Sequence, residues 1–377
     1  MTNLFDYMKW RGDLSFSASP MNDIDALIFA ELSYVPFDEI KGCESAEGVS
    51  LSDAAAEYFK THDPYTTDLG AIVPSAIVTM FYEMTKCDRF RNVILSRYVN
   101  DTSEERGEQF SAVTIKISDT ETYVAFRGTD DTVVGWEENF NMALYSPVPA
   151  QKSAVEYLNS TPVEKDIKLY VGGQSKGGNL AVYAAVKCNL GIEKHITSVY
   201  NFDGPGFSRE FLEAEDYVSI APRIVNVFPE QSIVGMLFEH TNDYIVVKSS
   251  NGGLWQHDSL SWQIEGTKYI TAPELSAGSR EFDGAFSEWL ATLSEEERKV
   301  IIPTIFDTMY ATDSSTLTEL KSKKNDAFKV FLALEPKKRK LLYDKLGKYI
   351  LGNAGSIVGE AIREKLKEIT EKAKKKK

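Results

Sequence analysis

Histidine and cysteine are scarce in this chain, four and three among 377 residues. Cys43, Cys87 and Cys188 lie far apart with no C-x-x-C pair, so neither a disulfide framework nor a zinc site is indicated. The chain has no H-E-x-x-H, no G-x-x-x-x-G-K-[ST], no G-x-G-x-x-G after a strand pattern and no EF-hand loop, so no metal and no cofactor is expected. A run of roughly 18 uninterrupted apolar residues is absent, as are the cationic and apolar regions of a secretion signal at the start. The expectation is a cytoplasmic protein without a membrane span.

What is present is an apolar share of 43%, enough for a real core. The formal net charge of -14 hides an asymmetry: residues 321–377 carry 18 Lys and Arg against 7 Asp and Glu, the remainder 24 against 49. An acidic body repels polyanions, so no nucleic-acid partner is expected, and contact with an anionic surface would have to come through the basic tail.

Short β-branched or aromatic runs alternate with helical segments as far as about residue 275, which argues an α/β domain over 1–275. The predicted strands are Val113–Ser118, Tyr123–Phe126, Lys168–Gly172, Ser198–Phe202, Arg223–Phe228 and Tyr244–Lys248, with helices over Ser153–Leu158, Gly178–Cys188 and Ile233–Glu239. The pattern over 276–377 is helical and basic, and its final apolar stripe from Ile357 to Ile369 suits docking on the body, a partner, or peripheral contact with a membrane surface. The segment Asp23–Thr85 suits either a lid or a layer packed on the outside.

The sharpest local signal is an apolar strand followed by Gly173-Gln174-Ser175-Lys176-Gly177 and a small-residue helix. A G-x-S-x-G turn between strand and helix pushes the serine hydroxyl out above the strand end, and the glycines avoid clashes that a Cβ would cause. Ser175 is therefore the candidate nucleophile, and the Lys176 N–H, at a helix start, a candidate oxyanion donor. Upstream, a strand ending in Phe126-Arg127-Gly128-Thr129 supplies a turn whose Thr129 N–H is a candidate second donor. Arg127 also has structural partners at hand in Asp130, Asp131 and Glu137.

Phe126-Arg127-Gly128-Thr129 followed about 45 residues later by the serine turn resembles the class 3 lipases of the α/β-hydrolase superfamily. More closely, the stretch from Phe5-Asp6-Tyr7-Met8-Lys9-Trp10 through Asn201-Phe202-Asp203-Gly204-Pro205-Gly206-Phe207 to Gln256-His257-Asp258-Ser259 is similar to a bacterial family of lipase-like proteins of unassigned function, the Mbeg-like family. The resemblance implies an α/β-hydrolase fold, a mostly parallel central sheet flanked by helices, and a serine nucleophile. It implies no particular substrate.

In that fold the base lies C-terminal to the nucleophile, which removes His62 and leaves His195, His240 and His257. His195 falls at the far end of a strand, and His240 ends a predicted helix. His257 follows the last strand in a loop free to return to the active face, and its position matches the lipase base. The acid is less clear. Class 3 lipases carry an Asp after the strand that here reads Arg223–Phe228, but this chain continues Pro229-Glu230-Gln231. Asp203, at the end of the preceding strand, and Glu230 are the main candidates, with Asp243 and Asp258 behind them. The expected function is a serine hydrolase of carboxylic esters, acting on a small-molecule or lipid ester. The alternative is a weak or inactive hydrolase-fold binding protein that uses its basic C-terminal region.

Overall fold

Side chains that alternate along each central strand feed two separate cores. In Glu121–Phe126, Tyr123 and Ala125 join one cluster while Val124 and Phe126 join the other. Lys168–Gln174 and Ile196–Phe202 divide in the same way, Tyr170, Tyr200 and Phe202 on one side and Leu169, Val171 and Val199 on the other. Both faces of these strands are thus apolar and must be covered, the condition under which parallel strands are stable.

The computed structural model describes residues 2–70, 73–130, 132–142, 146–241 and 243–280, with isolated positions between 293 and 341. Its helices and strands, in order, are α1 Leu4–Arg11, α2 Asp23–Leu32, β1 Val49–Ser50, α3 Leu51–Tyr58, α4 Ala76–Met84, β2 Ile94–Ser103, β3 Glu108–Lys116, β4 Glu121–Phe126, α5 Val133–Met142, α6 Pro149–Asn159, β5 Lys168–Gln174 and α7 Lys176–Lys187. Strands β6 Ile196–Phe202, β7 Ile224–Pro229 and β8 Ile245–Val247 follow after shorter helical turns. The eight strands form one sheet in sequence order, antiparallel from β1 to β4 and parallel from β4 to β8. Parallel neighbours need crossovers, which α5 with α6 and then α7 supply. Helices α6 and α7 pack on one face of the sheet, while α2 lies against β4, β5 and β6 on the other.

The segment Asp23–Thr85 is therefore a covering layer over its α2 part: Leu27, Ile28 and Phe29 are buried in the core. Helix α2 starts with a capping box in which the Asn22 N–H donates to Asp25. Asp25 is also the partner of Arg89, whose Nε and Nη2 donate to its two oxygens at 2.7 and 2.5 Å. The remaining guanidinium N–H groups reach the carbonyls of Leu14, Ser19 and Pro20, so one buried cation ties the N-terminal loop to α2.

The chain divides into two compact units, Met1–Asp283 and Gly284–Lys377. Nearly all of the second, including the stripe Ile357–Ile369, lies outside the described residues. Among the described residues no helix is long and apolar enough to cross a membrane.

The six predicted strands agree with the structure to within about five residues, and two further strands of the sheet, Val49–Ser50 and Ile94–Ser103, lie outside the expectation. The helix expected over Ile233–Glu239 does not form; that stretch is turns. Its backbone bonds go elsewhere: Gly206 N–H donates to Leu237 O, and Phe207 and Glu239 exchange a pair of N–H to carbonyl bonds. A segment whose donors and acceptors pair across to another segment cannot also close helical turns.

Removing one partner of a buried ion pair strands the other charge. Arg89→Met is expected to cost about 3–5 kcal/mol, seen as a lowered urea midpoint at unchanged slope. A loss below about 1 kcal/mol would show that Asp25 is satisfied without it.

Candidate active site

Parallel strands β4 to β8 deliver their C-terminal ends to one edge of the sheet, where α/β folds place their ligands. Phe126 pairs with Gly173, Gln174 with Phe202, and Phe202 with Val227. The turns that leave β4, β5 and β6 are therefore neighbours, and they carry Thr129, Ser175 and Asp203.

Between β5 and α7 the chain turns at Ser175, with φ 58° and ψ -132°. This left-handed conformation is strained for a residue with a Cβ and is the geometry of a nucleophile elbow. Its sharpness brings Gly173 and Gly177 against the end of β4, and a Cβ on either would overlap the Phe126 carbonyl oxygen. Ser175 N–H donates to Phe202 O at 2.8 Å, which pins the turn to β6.

Lys176 opens α7 and is fully buried. Its Nζ donates to Glu138 Oε2 and to Gln109 O, each at 2.5 Å, and the Glu138 carboxylate also accepts the N–H groups of Gln109 and Ala150. Burial pushes the Lys176 ammonium below its ordinary range, against the pull of Glu138. The pair ties α5 to the start of the elbow helix. Thr129 lies buried after β4, and its Oγ1 accepts from Asn139 Nδ2 of α5 at 2.5 Å. Arg127, in the same turn, donates to Asn100 and to Asp130.

His257 ends a short 3₁₀ turn, Gly253–His257, in the long connection after β8. The turn is held by amides: Gln256 Oε1 accepts from Gln231 N–H, Gln231 Oε1 accepts from Gly253 N–H, and Trp262 Nε1 donates to Gln256 O. His257 Nδ1 lies 2.6 Å from Asp203 Oδ2. The other Asp203 oxygen accepts from Ser232 Oγ at 2.5 Å, so both oxygens of this buried carboxylate are engaged. Asp203, like Ser175, has a positive φ, of 52°.

The structure thus joins Asp203 to His257 and sets Thr129, Ser175 and Lys176 on the neighbouring turns at the same edge, while the group facing His257 Nε2 is the Gln174 amide rather than Ser175 Oγ. Glu230 is engaged through its backbone, its N–H donating to Val247 O and its carbonyl accepting from Ser276, while His257 Nδ1 turns to Asp203. His195 is tied to Ile167 O at the opposite edge. His240 lies half-buried against Phe228, and desolvation pushes its imidazole down to about 4. Asp258 caps the next turn through Leu260 N–H, and Asp243 offers its carbonyl to Asn226.

Three side chains of this region carried no expectation: Tyr34, Gln174 and Glu31. Tyr34 OH donates to Gln174 Oε1 at 2.7 Å, and Ser259 Oγ, two residues beyond His257, donates to Glu31 Oε1 at 2.6 Å. Glu31 lies in the last turn of α2 and Tyr34 two residues beyond its end, so the C-terminal end of that helix and the turn after it support the elbow and the His257 loop together. Gln174 stood inside the serine motif, but at a position the motif leaves free.

A mostly parallel sheet flanked by helices, with a serine elbow at its C-terminal edge, defines an α/β-hydrolase fold. The sequence profile described as Mbeg1-like matches residues 84–307, and the chain belongs to that family. No curated protein matches the chain. Similar solved structures include the M37 lipase, at 16% identity and TM-score 0.32 over 56% of this chain and 68% of that one. A Rhizomucor miehei lipase in a propeptide complex is 13% identical, TM-score 0.34, over 59% of this chain and 67% of that chain. The Lip2 lipase of Yarrowia lipolytica is 14% identical, TM-score 0.32, over 69% and 91%.

Burial raises the Glu31 carboxyl from 4.5 to about 8, with Asp258 nearby adding to the effect. The folded state then keeps a proton that the unfolded chain releases, so between these two values stability falls as pH rises. Glu31→Gln keeps an acceptor for Ser259 and is expected to flatten that fall in thermal melts. Parallel slopes for variant and wild type would remove Glu31 as the cause.

Proposed function

We propose that the protein is a serine hydrolase of carboxylic esters, acting on a small-molecule or lipid ester through an acyl-enzyme. The observation that carries this reading is the 2.6 Å contact between His257 Nδ1 and Asp203 Oδ2, beside an elbow whose serine holds a φ of 58°. In this reading Asp203 fixes the imidazole tautomer and stabilises the imidazolium that forms during the reaction.

Ser175 Oγ bonds to the ester carbonyl carbon as its proton passes to His257 Nε2. The oxyanion draws on the N–H groups of Thr129 and Lys176, whose side chains are already held by Asn139 and Glu138 and so need little reorganisation. The carbon–oxygen bond to the leaving alcohol then breaks, and the imidazolium supplies its proton. Water, deprotonated by the same base, attacks the acyl-enzyme and releases the carboxylic acid and free Ser175. Support for an apolar acyl group comes from Trp255, 73% exposed two residues before His257.

Hydrolysis of p-nitrophenyl esters tests the assignment. Ser175→Ala is expected to abolish turnover, and Asp203→Asn to lower kcat by about 10⁴-fold. Glu230→Gln should leave kcat within about twofold, because its carboxylate is not the group on His257. Wild-type turnover in Ser175→Ala, or an equal loss in Glu230→Gln and Asp203→Asn, would overturn the assignment.

A further inference from the structure

The side chain of Gln174, buried between Gly173 and the candidate nucleophile, spends its whole amide on fixed partners. Its Nε2 donates to His257 O at 2.9 Å and lies 3.3 Å from His257 Nε2, while its Oε1 accepts from Tyr34 OH at 2.7 Å. The orientation of the amide follows from these partners. A flipped amide would set its oxygen against the carbonyl oxygen of His257, two acceptors in contact. Tyr34 cannot drift away to permit the flip, because its hydroxyl is packed against Gly128 of the turn after β4, where even a Cβ would overlap it.

The tautomer follows as well. A carboxylate faces Nδ1, so Nδ1 carries the proton and a neutral ring presents a lone pair at Nε2. That lone pair is where the second N–H of Gln174 is aimed.

We infer that Gln174 is a latch on the base: in the resting site its amide occupies the Nε2 lone pair that must take the Ser175 proton, and Tyr34 holds the latch in place. The inference rests on the reading of His257 as general base. Engagement of Ser175 exchanges one donor on Nε2 for another, and the bond from Gln174 to His257 O lets the amide pivot without leaving. The latch also opposes reaction out of turn, since an imidazolium would set a ring N–H against an amide N–H. Gln174 and Tyr34 act through His257 and are positioning residues. Through Tyr34 the turn that follows α2, on the far face of the sheet from α6 and α7, has a direct hand in whether the base is available.

The test uses the full chain labelled uniformly with ¹⁵N. A scalar coupling across the hydrogen bond between Gln174 Nε2 and His257 Nε2 is expected in the wild type, lost in Gln174→Leu and weakened in Tyr34→Phe. In parallel, a fluorophosphonate should label Ser175 about fivefold faster in Gln174→Leu, the factor one neutral hydrogen bond is worth. Tyr34→Phe keeps the packing and should speed labelling in the same direction. Gln174→Glu places an acceptor where the donor stood, favours the imidazolium, and should move the acid limb of the labelling rate to higher pH. Coupling in the wild type with no label on Ser175 in the wild type or in any variant removes the esterase reading, and the latch with it. Wild type that takes label without the coupling, or variants that label more slowly with an unmoved pH profile, overturns the latch.

Discussion

One hydrogen bond, His257 Nδ1 to Asp203 Oδ2, joins two loops that leave different strands 54 residues apart. Everything else at the sheet edge serves its geometry. The pairing of β5 with β6 and of β6 with β7 puts Asp203 beside the elbow, and the Asp203 N–H is itself taken by Val227 O of β7. Ser232 occupies the second carboxylate oxygen, so both oxygens of the side chain are engaged. The amides of Gln231 and Gln256 then set the curvature of the loop that brings the imidazole back over the strand ends.

This arrangement is held against local strain. Ser175 and Asp203 both occupy the left-handed region, at a cost of order 1–3 kcal/mol each. The strain persists because the surrounding structure over-determines it: the Ser175 and Asp203 N–H groups are bonded to β6 and β7, and Gly177 presses on the end of β4. The two cores on either face of the sheet keep those strands in place. The buried Lys176–Glu138 pair adds a second constraint, since releasing the elbow helix from α5 would strand two charges out of water.

Much of this was legible in the residues. Short β-branched and aromatic runs marked β4 to β7, and the glycines flanking Ser175 marked the elbow, because only glycine tolerates that approach. Strand β2 carries no such mark, because its run Ser96-Arg97-Tyr98-Val99-Asn100-Asp101 is largely polar and its pairing is dictated by β3. The failed helix at Ile233–Glu239 shows the same limit: local periodicity says nothing of a competing partner elsewhere in the chain. The choice between Asp203 and Glu230 could not be made from sequence for a related reason. Both follow strands at the same edge, and only the direction of His257 Nδ1 separates them. Gln174, Tyr34 and Glu31 had no signal of their own, since their roles arise from contacts more than 80 residues away in sequence.

In the proposed reaction His257, held by Asp203, activates Ser175. Intact-mass measurement after exposure to a fluorophosphonate, with peptide mapping of the adduct, tests it most directly, because fluoride leaves phosphorus only as an activated oxygen bonds to it. One adduct per chain is expected, on Ser175, and its loss in His257→Ala. An adduct elsewhere, or undiminished labelling of Ser175 in His257→Ala, would contradict it.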